Sequence, residues 1–394
     1  MKILFLTAEP PWPLDQGDKL RNYHLLKALA AEHEVTLATF CPPGEESGSW
    51  RGAVASFCRA VYPVPLGRHQ MLLNVLLLPH LPVTMAARAS FRMVKLLLHL
   101  TEEEHFDLAF ACQLKMAWYL RHCATRRRVA DLTDMVSLFR RRMLRFAPSW
   151  PAKVFGTMEE YRLALWEKRV AQLADLVLMV SPVDVAKLAR MAHGRRITVL
   201  PNGVDLDYFQ LLPDLGKHVL LFWGHLRYPP NADGIIWFCR RIFPTVREAL
   251  PEAELLVVGK ESPPEVETLA RLPGVKLVGY VPDLRPYLAQ ASVAVVPLRF
   301  GTGIRNKILE AFAAGRAVVS TSLGCEGLDI EPGKHLEVAN DPQAFATAVV
   351  DLLRSPARRA YLAANGRKLA EQVYNWDAIG RRLRTLVVDL CNSE

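Results

Sequence analysis

The sequence predicts an α/β protein with two domains, each a parallel β-sheet flanked by helices. Short runs rich in β-branched and aromatic residues alternate with longer amphipathic stretches along the chain. A turn-rich stretch from Pro201 to Gly216 divides this alternation into two series. The chain has 394 residues, 51% of them hydrophobic, which is enough to build two cores.

The first series opens with the apolar run Ile3–Thr7, which leads into Glu9-Pro-Pro. The run is short and no small-residue cleavage site follows it, so a β-strand is favoured over a signal peptide. Further strands are predicted at Val35–Phe40, Ala60–Val64, Leu108–Ala111, Val129–Leu132, Leu176–Val180 and Ile197–Leu200, with helices at about 18–32, 84–100, 113–123, 155–173 and 183–192.

The second series begins after the turn-rich stretch. Its strands are predicted at Val219–Trp223, Glu254–Val258, Val275–Leu277, Val293–Val296 and Ala317–Ser320, with helices at about 231–249, 263–271, 303–314, 341–353 and 356–373. The predicted organisation is a domain at 1–200, a linker at 201–216, a domain at 217–375 and a C-terminal helix at 376–394. This implies two Rossmann-like domains facing each other across a cleft, with ligands at the carboxyl ends of the strands. Whether the last helix crosses back to the first domain is left open.

The positive charge is concentrated in the first half of the chain. The net charge is +9, and residues 1–200 hold 27 Lys and Arg against 18 Asp and Glu. No nucleic-acid recognition motif accompanies this charge, so a nucleic-acid partner is not expected. An anionic membrane or a phosphate-bearing acceptor would explain the excess.

The cysteines and acidic pairs show no metal-binding pattern. The seven cysteines are scattered and form no C-x-x-C, which favours a reducing compartment over a disulfide framework. Asp205 and Asp207 form a D-x-D, but it lies in the predicted linker, so we expect no metal. No apolar run reaches the roughly 18 residues needed to span a bilayer. We expect a cytoplasmic protein, with a position at the inner face of the cell membrane as the alternative.

The strongest functional signal lies between Val295 and Gly315. A buried strand ends near Pro297, a loop containing Gly301 and Gly303 follows, and a helix is predicted from about residue 303. The free N–H groups and the positive dipole end of the first helical turn suit a diphosphate.

Three charged residues follow in the same helix. Arg305 and Lys307 add positive charge near its start, and Glu310 can accept hydrogen bonds from both hydroxyls of a ribose. Each residue alone could equally be a solvated surface group or a partner of the helix dipole. Together with the glycines they favour a binding site.

Three motifs in this region carry a resemblance to a known family. They are Arg285-Pro-Tyr-Leu288, Pro297-Leu-Arg299 and Gly303-Ile-Arg-Asn-Lys-Ile-Leu-Glu-Ala311. With them the sequence resembles glycosyltransferase family 4 over nearly its whole length, especially the sugar transferases of bacterial exopolysaccharide clusters. The resemblance implies the GT-B architecture, retention of configuration, a nucleotide diphosphate sugar as donor substrate and no cofactor.

The resemblance also assigns donor contacts. Glu310 matches the second glutamate of the family's paired-glutamate motif, which holds the donor ribose, and Thr302 stands at the first. His225, next to Gly224, stands where an arginine is common, and Pro229-Pro-Asn231 falls where the lysine is usual. The remaining donor contacts expected here are Arg299, Gly301, Gly303, Ile304 and Asn306.

Because the usual basic pair is altered, we infer that Arg305 and Lys307 neutralise the departing diphosphate. In the front-face mechanism proposed for such enzymes, the leaving diphosphate helps to deprotonate the acceptor. The protein then stabilises charge and positions both substrates.

The first domain is expected to bind the acceptor. Gly17 ends the loop after the first strand; a contact with donor phosphate and an ordinary βα turn both remain open. Cys112-Gln113 occupies the region where the family often has a histidine. Asp131 and Asp134 end the fifth strand and are candidates to orient the acceptor, with helix N-capping as the alternative for Asp134.

Residues 68–100 favour contact with a membrane surface. The leucine-rich run Met71–Leu78 is followed by Arg88, Arg92 and Lys95 interleaved with apolar residues, as in interfacial amphipathic segments. Core helices with solvated basic residues are the alternative.

The predicted function is transfer of a sugar from a nucleotide diphosphate sugar to a saccharide or lipid-linked acceptor in exopolysaccharide or glycoconjugate biosynthesis. A nucleotide-sugar epimerase or hydrolase is the first alternative. A non-catalytic binding protein of the same fold is the second, and Thr302 in place of the glutamate favours it.

Overall fold

The computed structural model describes residues 1–146 and 149–393. The chain divides into two compact units, one formed by Met1–Pro201 with the chain from Ile379 onward, and one formed by Asn202–Ala378. Each unit contains one sheet of parallel strands joined by helical crossovers. The predicted α/β class with two Rossmann-like domains is confirmed.

The sheet of the first unit has seven strands: β1 (Lys2–Thr7), β2 (Glu34–Cys41), β3 (Ala60–Pro65), β4 (Phe106–Cys112), β5 (Thr125–Thr133), β6 (Leu176–Met179) and β7 (Ile197–Val199). Their order across the sheet is β3-β2-β1-β4-β5-β6-β7, with all neighbours parallel. The order reverses between β1 and β4. The four residues from Ile3 to Leu6 have no exposed surface, as is typical of parallel strands.

The helices of the first unit are α1 (Gly17–Ala30), α2 (Ser49–Ala55), α3 (Arg68–Leu77), α4 (Val83–Ala86), α5 (Phe91–Glu103), α6 (Leu114–Ala117), α7 (Val136–Met143), α8 (Trp150–Leu173) and α9 (Pro182–Met191). Short 3-10 turns follow α6 and α7, at Trp118–His122 and Leu144–Phe146. The start of α9 shows why such helices begin where they do. Ser181 accepts a hydrogen bond from the N–H of Asp184, and Pro182 occupies the first helical position.

The sheet of the second unit has six strands: β8 (Val219–Trp223), β9 (Glu254–Val258), β10 (Val275–Gly279), β11 (Val293–Val296), β12 (Ala317–Ser320) and β13 (Glu337–Val338). Their order is β10-β9-β8-β11-β12-β13, again parallel throughout. The order reverses between β8 and β11.

The helices of the second unit are α10 (Pro229–Arg241), α11 (Phe243–Ala249), α12 (Pro264–Glu267), α13 (Arg285–Gln290), α14 (Asn306–Ala313), α15 (Pro342–Arg354) and α16 (Pro356–Val373). The last helix, α17 (Trp376–Asn392), belongs to the first unit from Ile379 onward. There Arg384 pairs with Glu32 at 2.7 Å. The chain therefore returns to the first unit, the outcome left open by the sequence.

The predicted linker packs along the second unit. The N–H of Val204 donates to the carbonyl of Tyr374 at 2.7 Å, and Asp214 accepts from the buried Arg359 at 2.7 Å. Asp205 accepts from the N–H groups of Asp207 and Tyr208, so the D-x-D forms a turn. The segment is part of the second unit's structure.

Several predicted helices are divided. The stretch at 84–100 is α4 and α5 separated by residues 87–90, and the stretch at 231–249 is α10 and α11 separated at Ile242, two residues before Pro244. A proline cannot donate the hydrogen bond that a continuous helix requires at its position. The stretch at 113–123 is α6 followed by the 3-10 turn, and α2, α3, α7 and α13 have no counterpart among the predicted helices.

Candidate functional site

The loops after β8 and β11 leave the same edge of the second unit's sheet. The two strands are neighbours, with Val293 opposite Leu220 and Ala294 opposite Leu221. The strand order reverses between them, and ligands of doubly wound sheets bind at such reversals, beyond the carboxyl ends of the strands. The predicted residues from Arg299 to Glu310 follow β11, so this edge is the candidate site.

Two glycines shape the loop between β11 and α14. Gly301 has φ 129° and Gly303 has φ 72°, in the region that favours glycine. Arg305 occupies the N-cap position with extended backbone, and α14 begins at Asn306. The prediction of a helix from about residue 303 is therefore wrong by three residues, because the backbone at Gly303 is left-handed.

Lys307 is buried beside the end of β8. Its Nζ donates to Oδ1 of Asn231 at 2.9 Å and lies 4.1 Å from the centre of the Phe222 ring. Asn231 in turn donates to the carbonyl of His225 at 2.9 Å. Burial, together with the charge of Arg305 and against the opposing charge of Glu310, lowers the pKa of Lys307 to about 7. The ammonium group is thus held by an amide oxygen and an aromatic ring.

Glu310 is half-buried one turn further along α14. Its Oε2 accepts a hydrogen bond from the indole Nε1 of Trp223, the last residue of β8, at 2.6 Å. Burial raises the pKa of Glu310, whereas the Trp223 hydrogen bond and the charge of Lys307 lower it. The indole fixes one carboxylate oxygen and leaves the other available.

Arg305 folds back over the glycine loop. Its Nη1 donates to the carbonyl of Thr302, and the guanidinium lies against Gly301 where a side chain would collide with it. Its Nε and Nη2 are buried and meet no hydrogen-bond acceptor among residues 1–146 and 149–393. Buried guanidinium nitrogens without an acceptor suit an anionic ligand.

Other predicted donor contacts have different partners. Arg299 pairs with Asp233, donating from Nε to the carboxylate at 2.8 Å. The imidazole of His225 lies 3.2 Å from the carboxylate of the exposed Glu261. Each of these side chains thus contacts a carboxylate of the protein itself, and the sequence motif does not reveal these contacts.

The remaining donor predictions concern small or backbone features. Thr302 and Ile304 are buried. The Oδ1 of Asn306 accepts from Asn202 at 3.1 Å. Gly224 has φ 142°, and its N–H donates to the carbonyl of Val258 at 3.0 Å. These residues shape the loops around Lys307.

In the first unit, the predicted acceptor role of Asp131 is wrong. Its carboxylate has no exposed surface and accepts from Nε and Nη2 of Arg21 at 2.8 and 2.7 Å. Arg21 also donates to the carbonyls of Leu200 and Pro201. The carboxylate therefore has a structural role inside this unit, because its oxygen atoms accept hydrogen bonds from a buried guanidinium.

Asp134 lies in the loop after β5, and Gly17 lies where the loop after β1 meets α1. Asp134 is half-buried, and its charge contributes to raising the pKa of the buried Glu167. The N-cap of α7 is Met135, without a side-chain hydrogen bond, so the N-cap alternative for Asp134 is wrong. Gly17 is the exposed first residue of α1. The substrate roles of both stay predictions.

Sequence reasoning missed Trp223 and gave Asn231 no role of its own. An indole that ends a buried strand at the reversal of strand order was a usable signal, since its N–H needs a partner when buried. Asn231 carried no local signal, because its partner Lys307 lies 76 residues away. Within the described residues, no group of three or more His, Cys, Asp or Glu could hold a metal ion.

Two family models match the chain. The model described as Glycosyltransferase Family 4 matches residues 21–208, and the model described as Glycosyl transferases group 1 matches residues 217–355. The chain belongs to glycosyltransferase family 4. The two matches together include α1 from Arg21 onward and the whole stretch from Arg299 to Glu310.

Relatives of this glycosyltransferase include a bacterial protein of a cps region and a bacterial mannosyltransferase. It is 21% identical to an uncharacterized 44.6 kDa protein in the cps region of Klebsiella pneumoniae, over 95% of this chain and 96% of that protein. It is 30% identical to a GDP-mannose-dependent phosphatidylinositol monomannoside mannosyltransferase of Mycolicibacterium smegmatis, over 56% of this chain and 64% of that protein. The matched region thus spans less than two thirds of the mannosyltransferase.

Solved structures share the fold of this glycosyltransferase. Sucrose-phosphate synthase from Thermosynechococcus elongatus matches with a TM-score of 0.73 at 20% identity, covering 99% of this chain and 98% of that one. Anabaena HepE in complex with UDP-glucose matches with a TM-score of 0.66 at 16% identity, covering 99% and 100%. None of the described helices combines the length and apolar character that crossing a membrane requires.

Proposed function

We propose that this glycosyltransferase moves a sugar from a nucleotide diphosphate sugar to a saccharide or lipid-linked acceptor, with retention of configuration and without a metal or cofactor. The observation that carries the proposal is the grouping of Glu310, Lys307 and Arg305 beyond β11, with Trp223 at the end of β8. The basic groups that can bind an anion and the carboxylate that can accept hydrogen bonds from hydroxyls therefore lie on or next to one short helix, α14.

Glu310 is suited to the ribose. Trp223 occupies part of Oε2, and the second oxygen and remaining lone pairs can accept two neighbouring hydroxyls. Hydrogen bonds to an ionised carboxylate are stronger than neutral ones. The nearby Lys307 favours the ionised form of Glu310 against the opposing effect of burial.

Arg305 and Lys307 are suited to the diphosphate. Arg305 offers two buried N–H-bearing nitrogens, and the first N–H groups of α14 add partial positive charge. Lys307, with its pKa near 7, gains a proton when an anion binds beside it, because an opposite charge raises the pKa of an amine. Negative charge on the departing nucleotide diphosphate is thereby stabilised.

The reaction follows from this distribution of charge. The bond between the anomeric carbon and the diphosphate oxygen breaks, and the acceptor oxygen bonds to that carbon on the same face. The acceptor's proton passes to the departing diphosphate. The side chains of this unit supply charge stabilisation and positioning, and none is needed as a separate base.

The relatives support a surface-polymer pathway and a lipid-linked acceptor. One relative is named for a cps region, and others are named as phosphatidylinositol-directed mannosyltransferases. The basic first half of the chain supports peripheral contact with an anionic membrane at its cytoplasmic face. GDP-mannose and UDP-glucose appear in the names of different relatives, so both nucleotides belong in the test.

Calorimetric titration of UDP and GDP tests the donor site. Glu310→Gln keeps the shape but removes the charge, and we expect at least about a tenfold loss of affinity for the nucleotide that wild type binds. Glu371→Gln, an exposed pair partner of Arg367 in the same unit, is the matched control and should bind like wild type. Equal affinity in Glu310→Gln and wild type would overturn the assignment.

Product analysis separates transfer from the alternatives. Wild type incubated with UDP-glucose or GDP-mannose and a glycolipid acceptor fraction should consume donor in proportion to glycosylated acceptor. Donor consumption or epimerisation that is independent of acceptor would favour the epimerase or hydrolase.

A further inference from the structure

Helix α3 of the first unit presents its leucines outward. Leu72, Leu73, Leu76 and Leu77 are 66%, 52%, 75% and 73% exposed. The buried residue of this helix is instead Asn74, which donates to the carbonyl of Ala89 at 2.7 Å and accepts from Gln70 at 2.8 Å. A helix packed only on its own protein places the leucines inside. This arrangement calls for an apolar partner outside the unit.

A second helix of the same unit repeats the pattern. In the first half of α8, Trp150 is 76% exposed, Phe155 50% and Tyr161 72%. On the same helix, the buried Glu159 accepts from the N–H of Val83, the first residue of α4, at 2.6 Å. Exposed aromatic and aliphatic side chains thus occur on two helices connected through α4.

The charge around α3 favours an anionic lipid surface as its partner. Residues 51–100 contain six Lys and Arg and no Asp or Glu. Arg68 at the start of α3, and Arg92 and Lys95 on α5, are exposed. Leucines flanked by basic residues are typical of helices that lie in a lipid interface, with their charges at the headgroups.

Helix α3 also forms one wall of a cavity of about 740 Å³. The cavity lies beyond the carboxyl ends of β1, β2 and β3, where Glu9, Pro42 and Leu66 line it. Arg68 and Met71 of α3 face it as well. Its size is within the roughly 300–1,000 Å³ typical of small-molecule sites.

The cavity combines aromatic walls with an incompletely partnered guanidinium. Trp12 and Trp50 line it, and flat aromatic rings suit the C–H face of a sugar ring. Arg88 lines it too. The Nε of Arg88 is buried and has no hydrogen-bond partner in the described part of the chain, while its Nη1 contacts the sulfur of Met71. A phosphate or carboxylate oxygen would complete these donors.

We propose that this cavity and α3 together bind an amphiphilic acceptor, with its anionic head at Arg88, its sugar between Trp12 and Trp50, and its lipid chain along the leucines of α3 in an anionic membrane. The proposal rests on the transferase function above and specifies the acceptor class. A free anionic saccharide could also bind Arg88 through its anionic group, but it has no lipid chain to contact the exposed leucines of α3.

Vesicle co-sedimentation tests the α3 part. Wild-type protein should sediment with vesicles of phosphatidylcholine and phosphatidylglycerol at low salt, and the double variant Leu72→Ser/Leu76→Ser should lose most of this binding. Leu211→Ser, at a leucine 62% exposed in the second unit, is the matched control and should sediment like wild type. Sedimentation of the double variant at the wild-type level would overturn the assignment of α3.

Calorimetry with farnesyl phosphate, farnesol and inorganic phosphate tests the cavity. Wild type should bind farnesyl phosphate more tightly than either fragment, and Arg88→Gln should weaken that binding at least about tenfold. Arg126 is exposed at the start of β5, and the control variant Arg126→Gln should bind farnesyl phosphate like wild type. Arg88→Lys, which keeps the charge, should recover part of the affinity if the fold is intact.

Two outcomes would overturn the cavity assignment. They are equal affinity of wild type for farnesyl phosphate and farnesol, and equal affinity of Arg88→Gln and wild type for farnesyl phosphate. UDP and GDP titrations of the same variants keep this result separate from the donor site. Nucleotide binding should be unchanged in Arg88→Gln, and its loss in wild type would instead count against the proposed function.

Discussion

The indole of Trp223 donates to the carboxylate of Glu310 at 2.6 Å, which links the last residue of β8 to the helix that follows β11. The two residues are 87 positions apart in sequence and meet where the strand order reverses. The hydrogen bond orients the carboxylate before any ligand binds. Glu310 therefore needs little rearrangement to accept two hydroxyls.

Removing this hydrogen bond should weaken nucleotide binding while leaving the carboxylate in place. We expect Trp223→Phe to lower the affinity for UDP or GDP roughly tenfold, since hydrogen bonds to charged groups contribute about 1.5–3 kcal/mol. Calorimetric titration checks this. Trp237→Phe changes an indole elsewhere in the second unit and should keep the affinity. An affinity unchanged in Trp223→Phe would contradict the orienting role.

Lys307 gives nucleotide binding a pH dependence. Its pKa of about 7 means that the ammonium form, which attracts the diphosphate, is progressively lost above neutral pH in the free protein. Wild-type affinity should therefore fall as pH rises from 7 to 9. Lys307→Met should bind about tenfold or more weakly at pH 6, and the gap should narrow at high pH.

Proton uptake provides an independent measurement for Lys307. At pH 8, binding to wild type should take up a proton, so that calorimetric heats differ between Tris and HEPES buffers. In Lys307→Met this difference should be absent. A pH-independent affinity ratio between the two proteins would exclude titration of Lys307 in this range.

The sheets were the most predictable part of the fold. The predicted ends of Val219–Trp223, Glu254–Val258, Val293–Val296 and Ala317–Ser320 coincide with the observed strands residue for residue. Buried parallel strands are continuous apolar runs bounded by turn residues, so both ends of each strand can be recognised in the sequence. Helix α7, Val136–Met143, was missed because three consecutive arginines interrupt its apolar periodicity.

The site was predictable in its residues and unpredictable in its pairings. The motif from Gly303 to Ala311 pointed to Lys307 and Glu310, but their partners Asn231 and Trp223 come from the helix and strand of another βα unit. Arg299 belongs to the same motif and is instead paired with Asp233. Long-range pairing depends on register and packing, which local sequence patterns do not encode.

The pair formed by Arg21 and Asp131 should be a stability determinant of the first unit. Both side chains are almost fully buried, and Asp131→Asn would leave the Arg21 guanidinium without its counter-charge. Breaking a buried pair from one side typically costs about 3–5 kcal/mol. We expect a loss of unfolding free energy of this order in urea titrations.

An exposed pair in the same unit supplies the comparison. Glu34 lies 3.2 Å from Arg59, and both side chains are largely exposed. Glu34→Gln should cost less than about 1 kcal/mol. If Asp131→Asn were no more destabilising than Glu34→Gln, the structural role of Asp131 would be contradicted. The predicted role in orienting the sugar acceptor would then have to be considered again.

Glu167 should make the first unit less stable as pH rises. It accepts from the N–H of Ser137 at 3.0 Å, and burial, with a contribution from Asp134, raises its pKa to about 7 from an ordinary 4.5. Between these values the folded state holds a proton that the unfolded state has released. The free energy of unfolding therefore falls as pH rises from about 4.5 to 7 and stays low above it.

The variant Glu167→Gln cannot ionise at this position. Its free energy of unfolding should therefore exceed that of wild type by on the order of 1–3 kcal/mol at pH 8 and by little at pH 4.5. Urea titrations across this range measure the difference, with the exposed Glu102→Gln as the control that should track wild type. Parallel stability curves for Glu167→Gln and wild type would show that Glu167 is already ionised at low pH, and that burial does not govern its titration.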